Sequence, residues 1–357
     1  MEFRQDAQWS LVVPTSIGVR LTPDNFAPVQ VADHFLMQVT SAETNVASVA
    51  ASLGLPALVL TNFVKGSPIA AMIKAGLAAR GLSVVGPEVD PGGPWGARHQ
   101  FNIADTGYGN RGPRVYNDRA GEVGRHLTTS DFDLDAIFER QGVKILHLSG
   151  LVAALSAQTS ALCVDLARAA KRAGTVVSMD MNYRASFWAG REPELRQTFA
   201  EIASLADILI GNEEDFQLAL GMAGPEAGGG GVADQVESFK AMIGSIRSTY
   251  PAAEVIATTL RQVLSANRHL WGMVVWGDGD FHVAEPREIG VLDRIGGGDG
   301  SVGGLLYGLL RGWSVEQAMR FGWACGAMVV ASLYDYATPA DEDQVWSIWQ
   351  GNARVRR

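Results

Sequence analysis

From about residue 42 the chain alternates short apolar runs with amphipathic stretches, and no other feature restricts its fold so strongly. The runs at 57–61, 143–148, 175–180, 207–210 and 254–258 are short and rich in Val or Ile, as strands buried on both faces must be. Between them, 42–53, 68–80, 158–172 and 234–247 carry helical patterns. Strand and helix in repetition predict one α/β domain over 1–357, built on a mostly parallel sheet with helices on both sides.

Two regions break the rhythm. Residues 11–21 and 35–39 are β-like but joined by a proline-bearing segment, and 96–118 has the polar, aromatic and glycine content of a hairpin. We expect parts of 15–40 and 96–118 to form a small β-lid. The glycine-rich stretch 221–231 reads as a surface loop.

Composition excludes several functions. With 47% hydrophobic and 19% charged residues, the chain can bury a large core. Its net charge of -9 argues against a nucleic-acid partner, since phosphate backbones select basic surfaces, but a nucleotide needs only a local ring of donors. Cys163 and Cys325 fall in apolar helical patterns and read as buried thiols. The opening MEFRQDAQWS lacks the apolar region of a secretory signal, and no run nears the roughly 18 apolar residues of a membrane helix. A cytoplasmic location is expected.

The segment GVLDRIGGGDGSVGGLLYGLLRGW, 290–313, carries the chemistry. A strand-like run ends at Asp293, Gly296, Gly297 and Gly298 follow, and Asp299 opens an apolar helical pattern. Glycines let backbone N–H groups approach a ligand, and a helix start adds unpaired N–H groups and partial positive charge. Together they suit the charge on a transferring phosphoryl group, and a carboxylate at Asp299 can take a proton from an incoming hydroxyl. Gly298 to Gly303 also fits the dinucleotide pattern GxGxxG, but the acidic strand end expected about 20 residues on is replaced by FGWACGAMVVAS, which continues as helix. A structural reading also stands, with Asp299 as a helix cap.

DRIGGGD resembles the signature of ribokinase-like (phosphofructokinase B type) sugar kinases, and this variant is most similar to that of 2-keto-3-deoxygluconate kinases. The resemblance covers nearly the whole chain. SAETNVASVAASLG at 41–54, VKILHLSGLVAALS at 143–156, VVSMDMNYRASFW at 176–188, ILIGNEEDFQLALG at 208–221 and TTLRQ at 258–262 follow the family's blocks in order. It implies a ribokinase-like fold and transfer from ATP, with Mg²⁺, to a primary hydroxyl of a sugar acid, most similar to 2-keto-3-deoxygluconate. Asp299 becomes the base, with Gly296, Gly297 and Gly298 as anion-hole amides. Ser41, Asn45, Arg119 and Arg184 fall on the sugar side, while Asn212, Thr259 and Arg261 fall on the nucleotide side. Asp215 reaches the metal through water. The lid of such proteins often pairs two copies.

Each position also has a plainer reading. Asn45 can be a cap, Arg119 and Arg184 solvated charges, GNEED a helix start with dipole-matched acids, and His147 a core histidine. Thr40 and Ser41 stand where the family has paired glycines, and Thr15 and Ser16 where it runs into Gly-Glu. After Asp299 the chain has Gly300-Ser301-Val302 in place of an aromatic. The first two departures touch the sugar side. They keep open a kinase for fructose, a nucleoside or a deoxy-inositol acid, and a non-catalytic sugar-binding protein.

Overall fold

Leu11 and Val13 point to one side of the central sheet and Val12 to the other, and all three are buried. That two-sided burial is what the uninterrupted apolar runs foretell. The structure, a computed structural model, describes residues 1–225 and 231–354. Its nine-stranded sheet has the order β15-β14-β13-β12-β11-β10-β1-β4-β6. The parallel members are β1 (Trp9–Pro14), β4 (Ala57–Leu60), β6 (Ser83–Val85), β10 (Val143–Ser149), β11 (Val176–Asp180), β12 (Ile208–Ile210) and the start of β13 (Val255–Ser265). β14 (Arg268–Gly277) and β15 (Asp280–Gly290) add antiparallel to β13.

One face packs α1 (Ala42–Ser52), α2 (Pro68–Ala79), α9 (Gly297–Leu310), α10 (Val315–Val330) and α11 (Glu342–Trp349). The other packs α4 (Ala157–Arg172), α6 (Glu192–Leu205), α7 (Glu213–Leu220) and α8 (Val236–Thr249). Single turns α3 (Gly150–Ala153) and α5 (Ala185–Trp188) follow β10 and β11. This is the ribokinase-like arrangement that the sequence predicts.

The region that breaks the rhythm forms a second, four-stranded sheet in the order β3-β2-β8-β9. It comprises β2 (Gly18–Pro23), β3 (Phe35–Thr40), β8 (Phe101–Asp105) and β9 (Arg114–Asp118). The expected continuous stretch 11–21 is therefore two strands in two sheets, broken at 15–17. A short pair, β5 (Phe63–Val64) and β7 (Glu88–Val89), lies between. The small sheet has unlike faces. Register aligns Met37, Leu21, Ile103 and Tyr116 in one apolar row and Gln38, Arg20, Asn102 and Asn117 in the polar row beside it.

Both cysteines are buried, and so is His147, which burial pushes down to about 3, so it stays neutral. Among the described residues no helix is long and apolar enough to cross a membrane. Residues 226–230 of the glycine-rich stretch lie outside the described residues.

Candidate active site

β15 ends at Gly290, not at Asp293. Residues 291–296 form an irregular link that Asp293 bends into place. Its carboxylate accepts from Arg20 and, at 3.0 Å, from the Ile295 N–H. Gly296 then adopts φ +83°, and a Cβ there would stand 1.9 Å from the Asp335 carbonyl oxygen, so only glycine fits. α9 begins at Gly297, two residues before Asp299, so two of the three glycines belong to the helix. Packing also requires glycine at the first helical position, because a Cβ on Gly297 would lie 2.6 Å from Val330. The Gly300 N–H bonds the Gly296 carbonyl at 2.8 Å, which leaves the N–H groups of Gly297, Gly298 and Asp299 ahead of the intrahelical ladder. Gly296, Gly298 and Asp299 line a cleft of about 550 Å³, while Gly297 is buried beneath it.

Burial pushes the Asp299 carboxyl up to about 7; a hydrogen bond from Asn45 opposes the rise, and the Asp335 and Glu43 carboxylates add to it. A half-buried carboxylate titrating there is poised to exchange protons near neutrality. The elevation arises mainly from position in the fold and has no counterpart in the motif itself.

The remaining walls come from carboxyl ends of parallel strands, where such sheets open their ligand crevices. Asn212 follows β12 and caps α7, its Oδ1 accepting the Asp215 N–H at 2.8 Å. Asp215 returns the bond to the Asn212 N–H at 3.0 Å and accepts the Tyr183 N–H at 2.9 Å. The capping reading of GNEED is therefore realised, and both residues still line the cleft. Thr259 and Arg261 line it too. They lie within β13, which continues beyond its pairing with the end of β12 at Ile210 and Ala257. Spaced two apart, they face the same way.

On the opposite side, Arg119 is not a solvated charge. Its side chain is 14% exposed, is paired with Glu122 at 2.7 Å and lies with its guanidinium carbon 5.0 Å from the Phe187 ring centre. Arg184 is exposed to the cleft and donates to its neighbour's carbonyl, Tyr183 O, at 2.7 Å. Ser41, expected at the sugar, lines the cleft and also caps α1, its hydroxyl accepting the Thr44 N–H at 3.1 Å. Asn45 is not the cap; its Nδ2 donates to Asp299 Oδ2 at 2.9 Å. The side chains replacing the family's glycines are anchored inward. Thr15 donates to buried Glu43 at 2.6 Å, Ser16 to buried Glu122, and Thr40 to buried Asp335.

Several cleft residues, Asp180, Arg294 and Asp335 among them, have no role assigned from sequence. Asp180 ends β11, and its carboxyl is held well above the usual range, first by burial and then by Asp215 and Asp299. Its place at a parallel strand end was the available signal. Arg294 sits inside the glycine motif itself. Asp335 lies in an irregular segment after α10, where nothing in the sequence marks it. Arg119, Arg184, Arg261 and Arg294 thus surround a cleft floored by a helix start, an arrangement that can take a polyanion at one end and place a base at its centre.

A model described as pfkB family carbohydrate kinase matches residues 34–341. The 5-dehydro-2-deoxygluconokinase of Clostridium perfringens is 28% identical over 214 residues, which are 60% of this chain and 56% of that protein. The chain thus spans little more than half the length of that relative. The 2-dehydro-3-deoxygalactonokinase of Haloferax volcanii is 26% identical over 341 residues, covering 95% of this chain and 96% of that one. The crystal structure of 2-dehydro-3-deoxygluconokinase from Thermotoga maritima superposes with a TM-score of 0.86 at 25% identity, over 96% of this chain and 98% of that one.

Proposed function

The chain belongs to the pfkB family of carbohydrate kinases, and on that premise we propose that it transfers the ATP γ-phosphoryl group to a primary hydroxyl of a sugar acid, 2-keto-3-deoxygluconate. The observation that carries the reading is Asp299, raised to about 7, in the same cleft as the open first turn of α9. Asp299 takes the hydroxyl proton as the sugar oxygen attacks the γ-phosphorus. The bond from that phosphorus to the bridging oxygen breaks, and ADP leaves with the electron pair. The open N–H groups at Gly298 and Asp299, both lining the cleft, face the charge on the transferring group. Arg119 and Arg184 bind the substrate carboxylate and adjacent oxygens, and guanidiniums suit such two-point contacts.

Asn212, Thr259 and Arg261 serve the nucleotide. Magnesium, when bound, neutralises charge on the phosphates. The donors present fit an ion held mostly by phosphates and water. Both Asp215 oxygens already accept backbone N–H groups, and among the described residues no three His, Cys, Asp or Glu side chains gather to hold an ion. Asp215 therefore acts through water. The four-stranded sheet serves as the lid, with Asn102 and Asn117 of its polar row lining the cleft, and it excludes the water that would otherwise accept the phosphoryl group.

A substrate panel tests the proposal. ATP turnover is expected with 2-keto-3-deoxygluconate and is expected to be weaker with fructose or a nucleoside. Arg184→Ala should cut kcat/KM for carboxylate-bearing acceptors by roughly tenfold to a hundredfold, the worth of one charge-assisted contact, and spare neutral sugars. Equal loss on neutral sugars would remove the sugar-acid assignment, and absence of turnover with every sugar would remove the kinase. Preference for 5-keto-2-deoxygluconate instead would favour the alternative suggested by the Clostridium relative's name.

A further inference from the structure

Asn45 is 2% exposed, and its amide joins two groups of opposite hydrogen-bonding character. Nδ2 donates to Asp299 Oδ2 at 2.9 Å, and Oδ1 lies 3.5 Å from Arg80 Nη1. A carboxylate only accepts and a guanidinium only donates, so the amide satisfies both neighbours in a single sense. Arg80 is itself fixed. It is 5% exposed, its Nη2 donates to the Val39 carbonyl, and its guanidinium carbon sits 3.4 Å from the centre of the Tyr336 ring. Among the described residues none donates to the other oxygen of Asp299, Oδ1.

We propose that Arg80 and Asn45 are positioning residues for Asp299: Arg80 locks the sense of the Asn45 amide, and Asn45 holds one carboxylate oxygen so that the other is presented to the acceptor hydroxyl. The proposal deepens the reading of Asp299 as base and rests on it. It moves Asn45 from the sugar hydroxyls to the base, and it gives a function to Arg80, a residue in no motif. Three separate segments, the end of α2, the first turns of α1 and the start of α9, converge to make the relay.

A hydrogen bond to the charged form of a carboxylate favours that form. Without Arg80 the amide is free to turn Oδ1 toward Asp299, where it repels the carboxylate. The other charged groups near Asp299 are Glu43 of α1, Asp335 after α10, Asp180 at the end of β11, and Arg184, and all are unchanged in the variants below.

The test is an NMR titration of the full chain carrying ¹³Cγ-labelled aspartate, without nucleotide or sugar, with the Asp299 signal identified by its loss in Asp299→Asn. We expect a midpoint near 7 in the wild type, raised by roughly one to two pH units in Asn45→Ala. Arg80→Met should move it the same way by less, and Arg80→Lys should restore part of the change. An unmoved or lowered midpoint in Asn45→Ala overturns the proposal. A lower thermal midpoint in Arg80→Met with Asp299 unmoved overturns the role of Arg80, leaving it structural. Should Arg80→Met not fold, Asn45→Ala, which removes only the amide, decides. Because neither ATP nor sugar enters the measurement, its failure is separate from failure of the kinase reading.

Discussion

Asp299→Asn lowers kcat by roughly a hundredfold to ten-thousandfold, the usual worth of a positioned general base. Asparagine keeps the size of the side chain and can still accept from Asn45 Nδ2. The N–H groups of the α9 start belong to the backbone and are untouched, so nucleotide affinity should stay near that of the wild type. Steady-state kinetics with calorimetric binding of ADP separate the two. The same group sets the pH dependence. A base must be unprotonated to act, so the wild-type kcat/KM should rise with pH through a midpoint near 7 and level above it, and the variant should lack that limb. Near-normal kcat in Asp299→Asn, or a flat acid limb in the wild type, excludes Asp299 as the base.

The second large effect lies behind the glycine link. Arg20 is 1% exposed and Asp293 is fully buried; they form an ion pair whose carboxylate also fixes the Ile295 N–H. Burial raises the Asp293 carboxyl and Arg20 opposes the rise. Arg20→Ala strands a charge in the core, a change that costs about 3–5 kcal/mol. For a chain of 357 residues the thermal midpoint should fall by about 4–7 °C. The sign with pH follows from the stranded carboxyl. Its folded-state pKa then lies well above its unfolded value, so the deficit grows as pH rises above the unfolded value and shrinks in acid, where the group is neutral in both states. Adding Asp293→Asn should recover part of the loss. Thermal unfolding at two pH values checks this; a midpoint within about 1 °C of the wild type would show that the pair is not holding the link.

Five parallel strands and several of the helices between them, though not α6, were legible because burial on both sheet faces leaves uninterrupted apolar runs such as 143–148. β14 and β15 were not foreseen: β15, at the sheet edge, mixes polar with apolar residues, whereas β14 lies inside the sheet and is buried along most of its length, so its apolar run RHLWGMVVWG did carry the signal. The start of α9 was placed two residues late for a related reason. Three glycines carry the lowest helix propensity short of proline, and Gly297 is kept by packing, since a Cβ there would clash with Val330. In the site, residues within a motif or at a strand end could be named in advance. Their states could not. Arg119 is desolvated by Glu122 and Phe187, Ser41 also serves as a cap, and Asp299 is raised by its surroundings, all through residues distant in sequence. Arg80 and Asp335 carry no local pattern at all, and only the folded chain brings them to the base.

The most direct measurement is a crystal structure with 2-keto-3-deoxygluconate and a non-hydrolysable ATP analogue bound together. The account predicts the acceptor hydroxyl within hydrogen-bonding reach of Asp299, the terminal phosphate against the N–H groups of Gly298 and Asp299, and the sugar carboxylate on Arg119 and Arg184. A terminal phosphate seated away from the start of α9, or an acceptor hydroxyl out of reach of Asp299, would contradict it.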